Sequence, residues 1–278
     1  MSSARAGFTM LTVLWVLSMA GVLATSALVA GRNGIGAARN RVEWQRARWA
    51  ALGCARRAES TVDERLHDID VDKRARLWQT LGNVVDSSSL VAGCVIDIEA
   101  AGTKLDVNAA TPEMLERLFA AQGVMDARLV AAAFVSARAS TPIADLRALS
   151  QNKPMPTDIS YDSILSTEPA RIALSSASAV VLRAIPGFTL EVAEAVVAHR
   201  ANHAPLADLN EVIGLVSRES ARELEDRFQD LARVATVDPD AWILRSTAVS
   251  GVPAIVVVVE WRLVRQNDRV VVFGSRVR

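Results

Sequence analysis

The sequence predicts an α+β fold: an N-terminal transmembrane helix extended into a long helix packed on an antiparallel sheet, with an inserted helical domain of two similar units. Three observations predict it. An uncharged run of 23 residues lies near the start, Phe8–Ala30. One pattern occurs twice in the middle of the chain. β-branched runs separated by turn residues close it. The expected division is a leader over 1–7, a transmembrane helix over 8–30, and an extended helix with the first strands over 31–107. The inserted helical domain covers 108–236, with repeats at about 105–150 and 172–215, and the C-terminal strands cover 237–278.

Composition bounds the alternatives. Half of the 278 residues are apolar, enough to build a core, and basic and acidic residues balance at 31 each. Whole-chain charge therefore makes no case for a nucleic-acid partner. Cys54 and Cys94 are the two cysteines. Their spacing is not that of a zinc site, and two are too few for a disulfide scaffold. They are either two small buried residues or, if the body is exported, a pair that an oxidising compartment permits.

The run from Phe8 to Ala30 spans about 35 Å as a helix, enough for a hydrocarbon core of about 30 Å. Only Arg5 is charged before it. Three readings compete. A secretory signal could be cut near Ala27, where Thr25 and Ala27 are small. A plain anchor would stay whole. In the third, a peptidase cuts before the apolar run, at Gly7-Phe8, and leaves the helix attached; this junction resembles that of a prepilin. Arg32, Arg39, Arg41, Arg46 and Arg48 follow the run, and the positive-inside tendency would hold them in the cytoplasm; that tendency is a bias, and the body is still expected outside. From Ala37 to about Leu66 the pattern stays helical. Val42, Arg46, Trp49 and Gly53 follow one stripe, with Trp44, Ala47, Ala51 and Ala55 beside it. Gly31, Gly34 and Gly36 are expected to loosen the helix where it leaves the membrane.

The middle of the chain repeats itself. Leu105 matches Ile172, Leu115 matches Leu182, Leu118 matches Ile185 and Arg138 matches Arg200. Pro142-Ile143-Ala144-Asp145-Leu146 matches Pro205-Leu206-Ala207-Asp208-Leu209. Each copy reads as a strand end, a helix, a turn, a second helix and the start of a third. Thr111-Pro112 is a helix cap with proline at the first helical position, and Ser178 is its counterpart. Asp145 and Asp208 are expected to cap the short helices that follow.

After Pro239 the pattern changes to strands: Trp242–Ser246, Ala254–Val264 and Val270–Val277, with turns at Gly251-Val252-Pro253 and Gln266-Asn267-Asp268. They form an antiparallel meander. Leu90–Glu99 and Lys104–Val107 are expected to join the same sheet, which makes the repeats an insertion between its strands.

Two resemblances emerge from these residues. Pro186-Gly187-Phe188-Thr189 resembles the hairpin of helix-hairpin-helix modules, although the second hairpin glycine is missing and the first copy has no such motif. The nearly whole-chain combination is similar to the minor pseudopilin K family of type II secretion (general secretion pathway protein K): the Gly7-Phe8 junction, helical repeats starting at Val107-Asn108-Ala109-Ala110 and Leu174-Ser175-Ser176-Ala177, and the C-terminal strands. Ser175 stands where the family has asparagine. Counting from Phe8, the fifth residue is Thr12, where most pilin-like subunits have a glutamate; minor pseudopilin K resembles this sequence in lacking it. The resemblance implies a pilin-like, non-enzymatic subunit at the tip of the pseudopilus. It would be processed by prepilin peptidase, held as a single-pass protein of the inner membrane with its body in the periplasm, and partnered by other minor pseudopilins.

The alternative is a membrane-tethered helix-hairpin-helix DNA-binding protein. From Arg171 to Arg233 there are seven basic and nine acidic residues, a poor match to a polyanion. No nucleic-acid partner is expected. The pseudopilin K family is associated with calcium held in a W-R-D-x-D-like stretch after the first unit. Here that stretch reads FVSARASTPIADL, so no family-type metal site is expected. The acidic residues between Asp63 and Asp72 read as a solvated face. His67, His199 and His203 lack a zinc-protease pattern, and no phosphate loop, dinucleotide fingerprint or nucleophile elbow is present. No cofactor and no enzymatic activity are expected.

Overall fold

The structure is a computed structural model that describes residues 3–67, 77–78, 81, 93–146, 160–202, 206–267 and 269–277. Helix α1 runs from Ser3 to His67, 65 residues without a break. The three glycines expected to loosen it do not interrupt it. A glycine costs about 1 kcal/mol of helix propensity, which a long cooperative helix absorbs.

The C-terminal half of α1 lies on one face of a four-stranded antiparallel sheet. Its strands are β1 (Cys94–Ala100), β6 (Ala241–Ser250), β7 (Ile255–Gln266) and β8 (Arg269–Val277), in that spatial order. Strands β6, β7 and β8 form the expected meander. The buried stripe of α1 is Ala47, Ala51, Cys54, Ala55, Ala58, Val62 and Leu66. Spacings of three and four place these on one face, and their small size lets the helix approach Leu244, Ala248, Val259 and Trp261. The stripe through Val42, Arg46, Trp49 and Gly53 faces outward. Trp78 closes the end of this core by stacking on Trp242 at 5.3 Å, with the Arg265 guanidinium over it. Cys54 of α1 and Cys94 of β1 are bonded, with Cα atoms 6.6 Å apart, so a covalent tie fastens the helix to an edge strand.

The helical domain is inserted between β1 and β6. The first unit holds β2 (Leu105–Asp106), α2 (Pro112–Ala121), α3 (Ala127–Ser140), α4 (Tyr161–Ile164) and β3 (Leu165–Ser166). The second holds β4 (Ile172–Ala173), α5 (Ala179–Leu182), α6 (Leu190–Asn202), α7 (Leu209–Gly214), α8 (Arg218–Asp226), α9 (Phe228–Val234) and β5 (Ala235–Thr236). Lys104–Val107 does not join the large sheet. Leu105–Asp106 instead pairs in parallel with Leu165–Ser166, and Ile172–Ala173 pairs the same way with Ala235–Thr236. Each unit thus closes on itself, and Leu165-Ser166-Thr167-Glu168-Pro169 recurs as Ala235-Thr236-Val237-Asp238-Pro239.

The two units are also latched alike. The Arg138 guanidinium donates to the Val107 carbonyl, and Arg200 donates to the equivalent Leu174 carbonyl at 3.0 Å. Thr111 and Ser178 accept from the amides of Met114 and Val181, capping α2 and α5. Asp208 caps α7 by accepting from Asn210 and Glu211. The residues after Asp145-Leu146, His203, Pro205, and residues 90–92 lie outside those described. One continuous core, including Leu115, Phe119, Phe134, Leu182, Ile185 and Phe188, runs through both units.

The seam between domain and sheet is tight at Gly102, in the short 3₁₀ turn Ala101–Thr103. A Cβ there would collide with the Arg171 carbonyl and lie 2.7 Å from the Ala173 nitrogen. Arg171 pairs with Asp240 at 2.7 Å, Arg262 donates to the Pro169 carbonyl at 2.7 Å, and Arg276 pairs with Glu168 at 3.1 Å.

Candidate functional site

The distinctive surface is the free half of α1. From Val13 to Val42 every side chain is exposed. Glu43 makes the junction with the body: it accepts from the Ser250 hydroxyl at 2.6 Å and lies against Gly251, at the tip of the β6–β7 hairpin. The preceding 40 residues of helix extend about 60 Å at about 1.5 Å per residue. Within them lies an apolar segment long enough to cross a membrane and packed against nothing in the body. An unpartnered apolar helix of this length needs a lipid or protein environment.

Within that helix, Ser18, Thr25 and Ser26 donate their hydroxyls to backbone carbonyls one turn back, which satisfies them without water. The backbones of Gly7, Phe8 and Thr12 belong to α1; their side chains lie outside those described. Cys54 and Cys94 are brought together as described.

Beyond the span, Val42 and Trp49 are 50% and 68% exposed and lie on one helix face. Trp44 projects from a different face of the helix, with the Arg48 guanidinium 5.5 Å from its ring. Arg46 pairs with Glu43 at 2.8 Å. On the opposite side of the sheet a charged row crosses all four strands. Asp97 lies opposite Arg245, which lies opposite Glu260, which lies opposite Arg276. Burial would raise the Glu99 carboxyl, but bonds from Arg245 and Thr103 and the Lys104 charge outweigh it, so its pKa lies below the ordinary carboxylate value.

The hairpin that resembles a DNA-binding element points inward. Gly187 and Phe188 are buried, and a Cβ at Gly187 would meet Leu224 and Arg227. Arg117 of α2 donates to the carbonyls of Arg183 and Phe188, at 3.1 and 2.6 Å, and so uses this hairpin to join the two units. Phosphate recognition needs such backbone at the surface with free cations beside it; here it is a packing joint.

A cavity of about 430 Å³ lies at the seam, lined among others by Asp106, Met114, Arg171, Arg233, Asp240 and Arg262. Among the described residues its lining holds no serine, cysteine, histidine or lysine. Burial pushes the Asp106 carboxyl up, against the Asn108 and Ala109 amides that bond it. Among the described residues no three His, Cys, Asp or Glu side chains gather as metal ligands. His199 sits in the last turn of α6 against Glu211 at 3.2 Å.

No family model and no curated protein matches the chain. A chain of the GspK-GspI-GspJ complex from the enterotoxigenic Escherichia coli Type 2 Secretion System has a similar structure. The TM-score is 0.63 at 18% identity, over 87% of this chain and 99% of that one. The shared fold is pilin-like: a long N-terminal helix on an antiparallel sheet.

Proposed function

We propose that this chain is a membrane-anchored minor pseudopilin, a non-enzymatic subunit at the tip of a type II secretion pseudopilus that initiates or caps its assembly. The observation that carries this is the combination of a free apolar helix with a bulky insertion in a pilin-like body. The free helix suits packing among other subunits' helices or insertion in the inner membrane. The inserted domain enlarges the body beyond what a repeating filament accommodates, because each copy there needs neighbours above and below.

In this reading prepilin peptidase cuts between Gly7 and Phe8 and leaves the helix attached, with the body in the periplasm. Thr12 takes the place of the intramembrane glutamate. A carboxylate in lipid is costly unless paired, and a subunit with no neighbour above it has no partner to offer one. The structurally similar chain comes from a complex of three proteins of a Type 2 Secretion System, which supports partners of that kind here. They would dock on the Val42–Trp49 face of α1.

The test is reconstitution. The body, made without its first 30 or so residues, is expected to stay monomeric alone and to form a complex of defined size when two other minor pseudopilins are added. Filaments built from this subunit alone would refute the tip assignment.

A further inference from the structure

Between the apolar run and the body lies a neck, residues 31–42, which packs against nothing in the body. It carries Arg32, Arg39 and Arg41, and no acidic residue occurs before Glu43. The next two arginines are engaged, Arg46 by Glu43 and Arg48 by Trp44. Arg32, Arg39 and Arg41 have no ion pair or hydrogen bond among the described residues, and each is exposed. Four of the residues between them, Gly34, Gly36, Ala37 and Ala38, are too small to shield them.

We infer that this neck binds the phosphate headgroups of anionic phospholipid in the leaflet from which α1 emerges; the inference rests on the anchored reading above. Three features favour lipid over a protein partner. Arg32 and Arg39 are seven residues apart and share a face, whereas Arg41 lies about 200° round from Arg39. The charge therefore rings the helix, as headgroups do, while a docked protein meets one side. Side chains on a helix lean toward its N-terminus, so these arginines lean back toward the membrane. Arg39 stands about 14 Å beyond Ala30 along the axis. A side chain reaching roughly 6 Å back enters the headgroup layer, which extends about 5–8 Å beyond the hydrocarbon. Arg41 then lies within about one screening length of that layer.

The experiment uses the full chain in neutral detergent and counts, by native mass spectrometry, phosphatidylglycerol and phosphatidylcholine retained from an equal mixture. A preference for phosphatidylglycerol is expected. The loss is roughly fivefold per arginine for charges near an anionic surface, so on the order of a hundredfold for R32Q/R39Q/R41Q. Replacing Arg128, Arg218 and Arg222 of the helical domain by Gln should leave the preference intact. So should excess inorganic phosphate at fixed ionic strength, which separates a lipid headgroup from a free anion. No preference in the unmodified chain, an unchanged preference in the neck variant, or its loss to inorganic phosphate would overturn the inference. Extraction of the chain from native membranes by alkaline carbonate would instead sink the anchored reading, and the lipid count is independent of that result.

Discussion

Replacing Gly102 by alanine isolates the seam between the sheet and the helical domain. Its backbone is not in the left-handed region, so the substitution costs nothing in backbone conformation. The effect is steric. The new methyl would fall on the Arg171 carbonyl and stand 2.7 Å from the Ala173 nitrogen, and both are backbone. No side chain can rotate away, so the turn and β4 must part by roughly 1 Å, a strain at or above the upper end of the about 1–3 kcal/mol typical of overpacking. In a body of this size about 3 kcal/mol lowers Tm by roughly 6–12 °C. Gly53 is the control. It lies on the exposed face of α1 with nothing near its would-be Cβ, so Gly53→Ala should stabilise by up to about 1 kcal/mol. Thermal unfolding followed by near-ultraviolet circular dichroism compares the two. A Gly102→Ala protein as stable as the unmodified one would refute the seam described here.

Three further predictions follow from the same structure. Arg138→Met and Arg200→Met each remove a charged donor from a strand-end carbonyl. Each should cost about 2 kcal/mol in chemical denaturation, and equal costs would support the equivalence of the two units. Glu99 is held below its ordinary value of 4.5, so its stabilisation is present above that pH and is lost as pH falls through the lower folded value. Glu99→Gln should therefore flatten the acid limb of a Tm–pH curve; an unchanged limb would show that Glu99 contributes nothing to it. The Cys54–Cys94 bond closes a loop 40 residues long, worth about 4 kcal/mol in a chain-entropy model. Exported protein should resist alkylation until reduced, and Cys54→Ser should lower Tm; two freely alkylated thiols would contradict the bond.

What could be read from the sequence, and what could not, divides by the range of the interactions. Thr111-Pro112, Ser178 and Asp208 are local signals, since a cap needs only the amides two or three residues on, and each acts as expected. The meander was legible because strands joined by short turns pair with their sequence neighbours. The parallel pairs were not. Leu105–Asp106 is two residues long, too short to show period-two alternation, and its partner Leu165–Ser166 lies some 60 residues away. The recurrence of Leu165–Pro169 as Ala235–Pro239 is faint in sequence: only serine or threonine, an acid and proline recur. The α1 stripes were both visible, but apolarity pointed to Val42 and Trp49, while the sheet selected the alanines because they allow closer approach. Gly102 gave no sign at all, because its role depends on a strand about 70 residues ahead.

The central claim is that the apolar helix stays attached after processing and carries the body. N-terminal sequencing of the membrane-bound protein tests it most directly. A mature chain beginning at Phe8 is the predicted result. A chain beginning at Leu28 or later, at the far end of the apolar run, would contradict it, because the body would then have been released from its anchor.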